Sequence, residues 1–484
     1  MKKSYNSSSL IGGIVLFVLL FSSSAIQAQV GIGTTNPNAS SALDISSTTK
    51  GLLTPRMTTT QRNAIVAPAE SLLVFDTTVD AFYFYDTTTN AWVKLANEGT
   101  IKRNNYKLVK SVADLAPELT AGGGSKYLLQ TNTLYEINGT ITLAHPIDLN
   151  DAYISGLDAN EDRITKSTTG PIFEGTNGGS IRNVTLIGGP LKSAFNITGG
   201  NSLLVQNTVI TSFADVGTIS NLDLYFGSIV QFLANTNGIT YRNINKLLLT
   251  NQAWLGNNGN TFETFSGTFS LIQKVSGFSQ VLSGSTGMNI TGITSITGDA
   301  VLSEVVFYGG GTYVTGSSPY TGYNFNKDWT VNCPGIPREG DSQSTANIYY
   351  ASSSIVTLNN ATPVKLPVTT SPIRMFRTST RSGGDSSNSV VYEGKKSRSL
   401  NVIGSISFTA IAGMRFTFSI YKNGVQQAGT QVIYDVVDTN ARQGLSIVGT
   451  VVANPTDYIE IYVERTTGSG SNQFLVTSYN LLVN

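Results

Sequence analysis

The densest groups of side chains able to do chemistry in this chain are acidic. Asp148 and Asp151 lie close together, and Asp158, Glu161 and Asp162 follow beside Arg163. Calcium takes several oxygen ligands, so Asp158, Glu161 and Asp162 form the one place the sequence offers that ion. Their spacing matches no calcium loop, and a polar surface loop is the plainer expectation; no other cofactor is indicated. A glycoside hydrolase needs two carboxylates on adjacent strands, one as acid and one as base. No strand-like phrase carries such a pair. A lyase needs a base, often Arg or Lys, near calcium. Arg182 and Arg242 stand at comparable distances after Gly179 and Gly238 and are expected to share one exposed face with Gln206 and Ser220. A solvated strand face is the plainer reading of them. Tyr308, Tyr313, Tyr320, Tyr323, Phe325 and Trp329 crowd a glycine-rich stretch. Such rings stack on the flat apolar faces of sugars, although closing the end of a coil is the simpler role. His145 is the sole histidine and Cys333 the sole cysteine. That excludes a multi-histidine metal site within one chain and an internal disulfide. His145, before Pro146, is expected to be structural, and Cys333 incidental. No residue is assigned a catalytic role.

The elements that must position these groups are strands. Glycines recur at 139, 156, 179, 200, 217, 238 and 259, and strand-like phrases follow several of them: Ile181–Ile187, Leu203–Ile210, Ile219–Leu224 and Ile239–Ile244. Alternation of period two marks a strand with one buried face. Repetition near twenty residues marks a stacked coil. Each phrase holds an asparagine, and Asn183, Asn207, Asn221 and Asn243 are expected to form an internal ladder from rung to rung. Further rungs are expected through Phe262–Phe269, Ser270–Val275, Met288–Ile296 and Val301–Phe307. At this spacing residues 130–310 make about nine turns, a rod roughly 40 Å long. A short helix over Val112–Leu119, broken at Gly122–Gly124, is placed to cover the first rung.

Composition agrees with an extended β protein. Charged residues are 13% of the chain, the net charge is +1, and 48 residues are glycine. Near-neutrality removes the electrostatic case for a nucleic-acid partner. Residues 1–28 read as a signal peptide: Lys2 and Lys3, an apolar run from Leu10 to Phe21, then small residues to Ala28. The run is too short to span a bilayer, so no membrane span is expected after cleavage and the protein is expected to be secreted or at the cell surface.

Residues 29–100 form a separate small module. Leu72–Phe75 and Phe82–Tyr85 alternate around Asp76–Asp80 as a hairpin, and Thr60 is placed to cap a helix through Ile65. With so few large apolar residues it buries little alone. Asp76-Thr-Thr and Asp86-Thr-Thr also resemble a three-residue bacterial O-glycosylation acceptor, with ordinary turn chemistry as the plainer reading. Residues 330–347 hold Pro334, Gly335, Pro337 and Gly340 and divide a coil at 101–335 from a terminal region at 345–484. There the strands lengthen: Ser399–Thr409, Arg415–Tyr421, Gln431–Val437, Leu445–Val452, Tyr458–Glu464 and Phe474–Val483. Lys422-Asn-Gly424 is a hairpin turn.

Three resemblances add to this reading. Val30-Gly-Ile-Gly-Thr-Thr-Asn-Pro37, Ala42–Arg56, Thr59–Ile65 and Leu72–Val93 resemble the N-terminal segment of exported Gram-negative surface proteins of the cell-wall-anchor or tail-fibre-like kind. That implies a fibrous, surface-displayed, often trimeric context. The middle resembles pectate-lyase-like β-helices, which include lyases, hydrolases and non-catalytic spikes. Asp457–Val463 and Phe474–Leu482 resemble the last strands of complement-type and tumour-necrosis-factor-like jelly rolls, which implies a trimeric head. The expected fold is therefore all-β: a small N-terminal module, a right-handed parallel β-helix, then a jelly-roll β-sandwich. The expected function is a non-enzymatic adhesin or fibre binding glycans or another surface as a homotrimer. The rival is an exported polysaccharide lyase or hydrolase whose jelly roll binds carbohydrate.

Overall fold

The computed structural model describes residues 29–95, 105–381, 386–468 and 471–484. The expected signal peptide, residues 1–28, lies outside them. The chain divides into two compact units, residues 1–103 and 104–484.

In the first unit, Val30–Ile32 pairs in parallel with Leu43–Ile45. A separate four-stranded sheet runs Arg56–Met57, Leu73–Asp76, Ala81–Asp86, Ala91–Lys94. The expected hairpin is present, with Phe75 opposite Phe82. The helix is shorter than expected and starts earlier, at Thr59–Asn63. Thr58, not Thr60, caps it, and Gln61 completes a reciprocal box with Thr58. In place of an apolar core, Arg62 fills the centre. Its guanidinium lies 3.9 Å from the Tyr83 ring centroid and 2.9 Å from the Asp76 carboxylate. Among the described residues of this unit Val74 and Ala81 are the buried apolar ones, while Val30, Ile32, Leu43, Leu52, Leu53 and Val66 are exposed.

The second unit begins as a parallel β-solenoid of about eight turns, close to the nine expected. One interior column reads Tyr135, Ile154, Ile181, Val205, Gly227, Leu249, Lys274, Leu302, Val331. Another face points Phe173, Phe195, Gly217, Ile239, Glu263, Met288 and Val314 inward. Most positions in both columns are apolar, because each strand lies directly beneath the next and its inward face meets the same interior. Phe232 and Trp254 stack at 3.9 Å, and Trp254 on Phe262 at 5.0 Å.

Of the seven recurring glycines, Gly139, Gly156 and Gly259 lie in breaks between strands, and the other four do not. Gly179, Gly200, Gly217 and Gly238 lie within strands. Gly238 is needed for close approach: a Cβ there would sit 1.7 Å from the Phe262 carbonyl oxygen of the next turn. The chain turns corners at the asparagines, whose φ values are 53° at Asn183, 49° at Asn207, 57° at Asn221 and 51° at Asn243. Asparagine tolerates this left-handed conformation because its amide bonds locally. The strand-like phrases are thus bent pairs.

At the first end, Val112–Leu115 and Ala116–Ala121 cover the coil and place Leu115 in its core. Glu118, tucked under this cap, is 2.6 Å from Lys107 Nζ and accepts the Tyr135 hydroxyl at 3.0 Å. At the other end the last shaft strand, Trp329–Asn332, leads through a short 3-10 turn to two antiparallel sheets. One is ordered Ser371–Phe376, Thr345–Tyr350, Ser471–Val483, Arg398–Ala410, Gln443–Ala453. The other runs Thr378–Thr380, Val390–Tyr392, Tyr458–Arg465, Arg415–Lys422, Val425–Gln426. Phe408, Phe416, Phe418 and Phe474 interlock between them, with Phe408 and Phe474 at 4.7 Å. Asn423 and Gly424 take φ of 54° and 74°, as a two-residue hairpin turn requires.

Candidate functional site

In the acidic group Asp158, Glu161 and Asp162, the first and last carboxylates bond backbone N–H groups of their own and a neighbouring loop. Asp162 is buried and accepts the backbone N–H of Gly139 at 2.8 Å, Leu157 at 2.7 Å and Asp158 at 3.0 Å. Burial works against its charge, yet the N–H groups of Asp158, Gly139 and Leu157 hold its carboxyl below the usual range. Asp158 accepts the Asn160 N–H at 2.8 Å. Among the described residues no group of three or more His, Cys, Asp or Glu is arranged to hold a metal. Asp148 pairs with Lys126 at 2.6 Å. Asp76 and Asp86 each accept the N–H two residues on, from Thr78 and Thr88, at 2.9 and 2.8 Å, which is turn chemistry.

Arg182 and Arg242 do not share a face. Arg182 stacks on Gln206, and Arg242 on Ser220, in two different walls of the coil. A full turn of the solenoid contains more than one strand, so similar offsets from two glycines did not mean equivalent positions. The asparagines likewise form two outer ladders at two corners, Asn207 to Asn183 at 3.2 Å and Asn243 to Asn221 at 3.3 Å. The internal ladder is elsewhere. Buried Asn235 donates its N–H and its side-chain amide to Asn258 Oδ1, each at 3.0 Å.

Sequence reading missed an ion pair buried inside the shaft. Glu263 and Lys274 come from opposing walls of the coil and meet at 2.9 Å, both shut off from solvent. Tyr225 and Tyr241 lie nearby in the same interior, their rings 5.2 Å apart, and burial pushes both phenols well up. The available signal was Lys274, in phase with Ile272 on an alternating strand.

The aromatics from 308 to 329 divide between the end of the shaft and its junction with the sandwich. Trp329 is 2% exposed and Tyr320 8%, so neither ring offers a face to a sugar. Tyr320 donates to Glu393 at 3.3 Å and meets the edge of Phe376. Tyr323 stacks on Phe376 at 3.9 Å, and Arg374 reaches its hydroxyl. Tyr313 stacks on Phe307 and donates to the Gly309 carbonyl at 2.6 Å. Tyr308 is exposed beside Phe278. Cys333 belongs to the shaft core, and burial raises its thiol.

The junction is tied by charge as well. Buried Arg377, from the sandwich, bonds Asp341 and the Trp329 carbonyl. Lys395 reaches Asp299 at 2.9 Å and the Gly298 carbonyl. Two clefts open beside these contacts. One, of about 490 Å³, is lined by Tyr320, Arg374 and Glu393 among others. The second, of about 530 Å³, lies between the outer wall of the last two shaft turns and the first sandwich loops.

Residues 31–109 match the family described as the phage tail like trimerisation region. No curated protein matches the sequence. Among solved structures, the chain is similar to an Acinetobacter baumannii phage AM24 tailspike protein, with 10% identity over 86% of this chain and 91% of that one, at a TM-score of 0.23. It is also similar to the enzymatically active domain of bacteriophage CBA120 tailspike protein 4, at 8% identity, 89% and 77% coverage, and TM-score 0.21. A third similarity is to Eiger TNF from S. frugiperda, at 11% identity over 29% of this chain and 93% of that one, TM-score 0.22. No described helix is long and apolar enough to cross a membrane.

Proposed function

We propose that this protein is an exported fibre of the tail-spike kind, assembled as a homotrimer, which displays the sandwich on a β-solenoid shaft and binds surface glycans without cutting them. The observation that carries the reading is the match of residues 31–109 to a trimerisation region. The first unit's exposed Val30, Ile32, Leu43, Leu52, Leu53 and Val66 supply the apolar surface that other copies would cover. Three copies would turn weak sugar contacts into firm attachment. Asp148, Asp158 and Asp162, from the densest acidic groups of the sequence, are each engaged by a lysine or by backbone N–H groups, which supports binding over cleavage.

The test is light scattering of the full chain followed by a glycan panel. The expected result is a mass about three times that of one chain, glycan retention, and no new reducing or unsaturated ends in the presence of calcium. A single-chain mass at micromolar concentration would sink the assembly. Cleavage products would replace binding by enzymatic action.

A further inference from the structure

The cleft between the last shaft turns and the sandwich carries more cations than anions. Its cations are Lys327, Arg338, Arg377, Lys395 and Lys396, and its anions Asp299, Glu339 and Asp341. The anions are turned to structural work. Glu339 is buried, and its two oxygens accept the N–H groups of Asn324 and Phe325, each at 3.0 Å. Burial raises its carboxyl, and those N–H groups only partly offset this. Asp341 bonds Arg377 and accepts the N–H groups of Lys395 and Lys396 at 3.0 and 2.9 Å. Asp299 is taken by Lys395.

That leaves a surplus of positive charge. Lys327, Arg338 and Lys396 are exposed, and none has a carboxylate at ion-pair distance among the described residues. Arg338 is aimed by a 3.0 Å hydrogen bond from its Nε to Asn332 Oδ1, which leaves the far edge of the guanidinium open. Around these heads the wall supplies neutral hydrogen-bonding groups from Ser303, Thr330 and Ser342. A fixed fork of N–H donors fits a carboxylate, and hydroxyls fit the rest of a sugar. The cleft's volume of about 530 Å³ falls in the range of small-ligand sites.

We infer that this cleft is a subsite for an acidic saccharide, holding a sugar carboxylate against Arg338 and Lys396 while the ring hydroxyls meet the shaft wall. The inference rests on the glycan-binding reading above and names the class of sugar and its place. Because one wall is shaft and the other is sandwich, the ion pairs of Arg377 and Lys395 also set the width of the site.

Calorimetric titration of the full chain tests it. The probes are an oligoglucuronate, its carboxyl-reduced neutral counterpart, and inorganic sulfate, at low and high salt. The acid is expected to bind, to weaken with salt, and to bind about tenfold or more tightly than the reduced form. Arg338→Ala with Lys396→Ala, both at exposed positions, should abolish that preference without moving the melting temperature. Equal binding of acid and reduced sugar, or an unchanged preference in the double variant, overturns the assignment while leaving glycan binding intact. Sulfate displacing the saccharide at matching affinity would make the cleft a plain anion site and overturns it too. Failure of every glycan to bind would remove the functional reading itself.

Discussion

Ile229 occupies a corner where successive turns of the shaft carry Asn183, Asn207, Ile229, Asn251, Ser276 and Glu304. All six have φ between 49° and 61°. Left-handed backbone costs an L-residue about 1–2 kcal/mol, and a β-branched side chain is the worst suited to it. Asparagine recovers part of that cost through local hydrogen bonds. Ile229 is 50% exposed, so little apolar burial would be lost on replacing it. Ile229→Asn should therefore raise the stability of the shaft by about 1 kcal/mol. The readout is the denaturant midpoint. A lower midpoint would mean that the covered half of the isoleucine outweighs the strain. The corner itself was not legible: an asparagine inside an alternating phrase reads as one strand until the third dimension shows the bend.

The strand Thr261–Gln280 shows what an element adds. It runs along more than one wall of the coil, so Glu263 and Lys274 lie on a single strand yet face each other across the interior. Their neighbours in the two columns are Ile239 and Met288, and Leu249 and Leu302. Two charges taken out of water hold only as a pair. Lys274→Met should cost about 3–5 kcal/mol, because it strands the Glu263 carboxylate. Adding Glu263→Leu should recover most of that loss or exceed it. Thermal melts of the wild type, the single and the double variant decide the point. A double variant no better than the single one would show that the pair is not coupled as its geometry implies. The alternation around Ile272 and Lys274 was visible in the sequence, but a lysine in an interior phase ordinarily reads as a flaw in the pattern.

For the whole molecule, the first unit and the rest of the chain obey different physics. The solenoid closes its own core, from Val109 to Cys333, and the sandwich closes a second. The first unit leaves Leu52 at 63% and Leu53 at 78% exposure and centres on Arg62. If partner copies cover those leucines, Leu52→Asp with Leu53→Asp should convert the trimer to single chains and leave the β-rich circular dichroism unchanged. Light scattering beside circular dichroism measures both. An unaltered mass would place the assembly surface elsewhere.

The amino-acid order alone determined the class of the fold. Period-two alternation made strands, near-twenty-residue repetition made a coil, and longer alternating phrases such as Ser399–Thr409 and Tyr458–Glu464 made the terminal sheets, where the structure has Arg398–Ala410 and Tyr458–Arg465. These are local consequences of side-chain alternation, so a linear reading recovers them. Which residues converge was decided only by the winding. Arg182 and Arg242 parted because a turn has several walls, and the four asparagines split between two corners for the same reason. Glu263 met Lys274, and Arg338 and Lys396 came to one cleft from segments far apart in the chain. Convergence depends on register and on the angle of each corner, and both are set by packing against turns that no single segment contains.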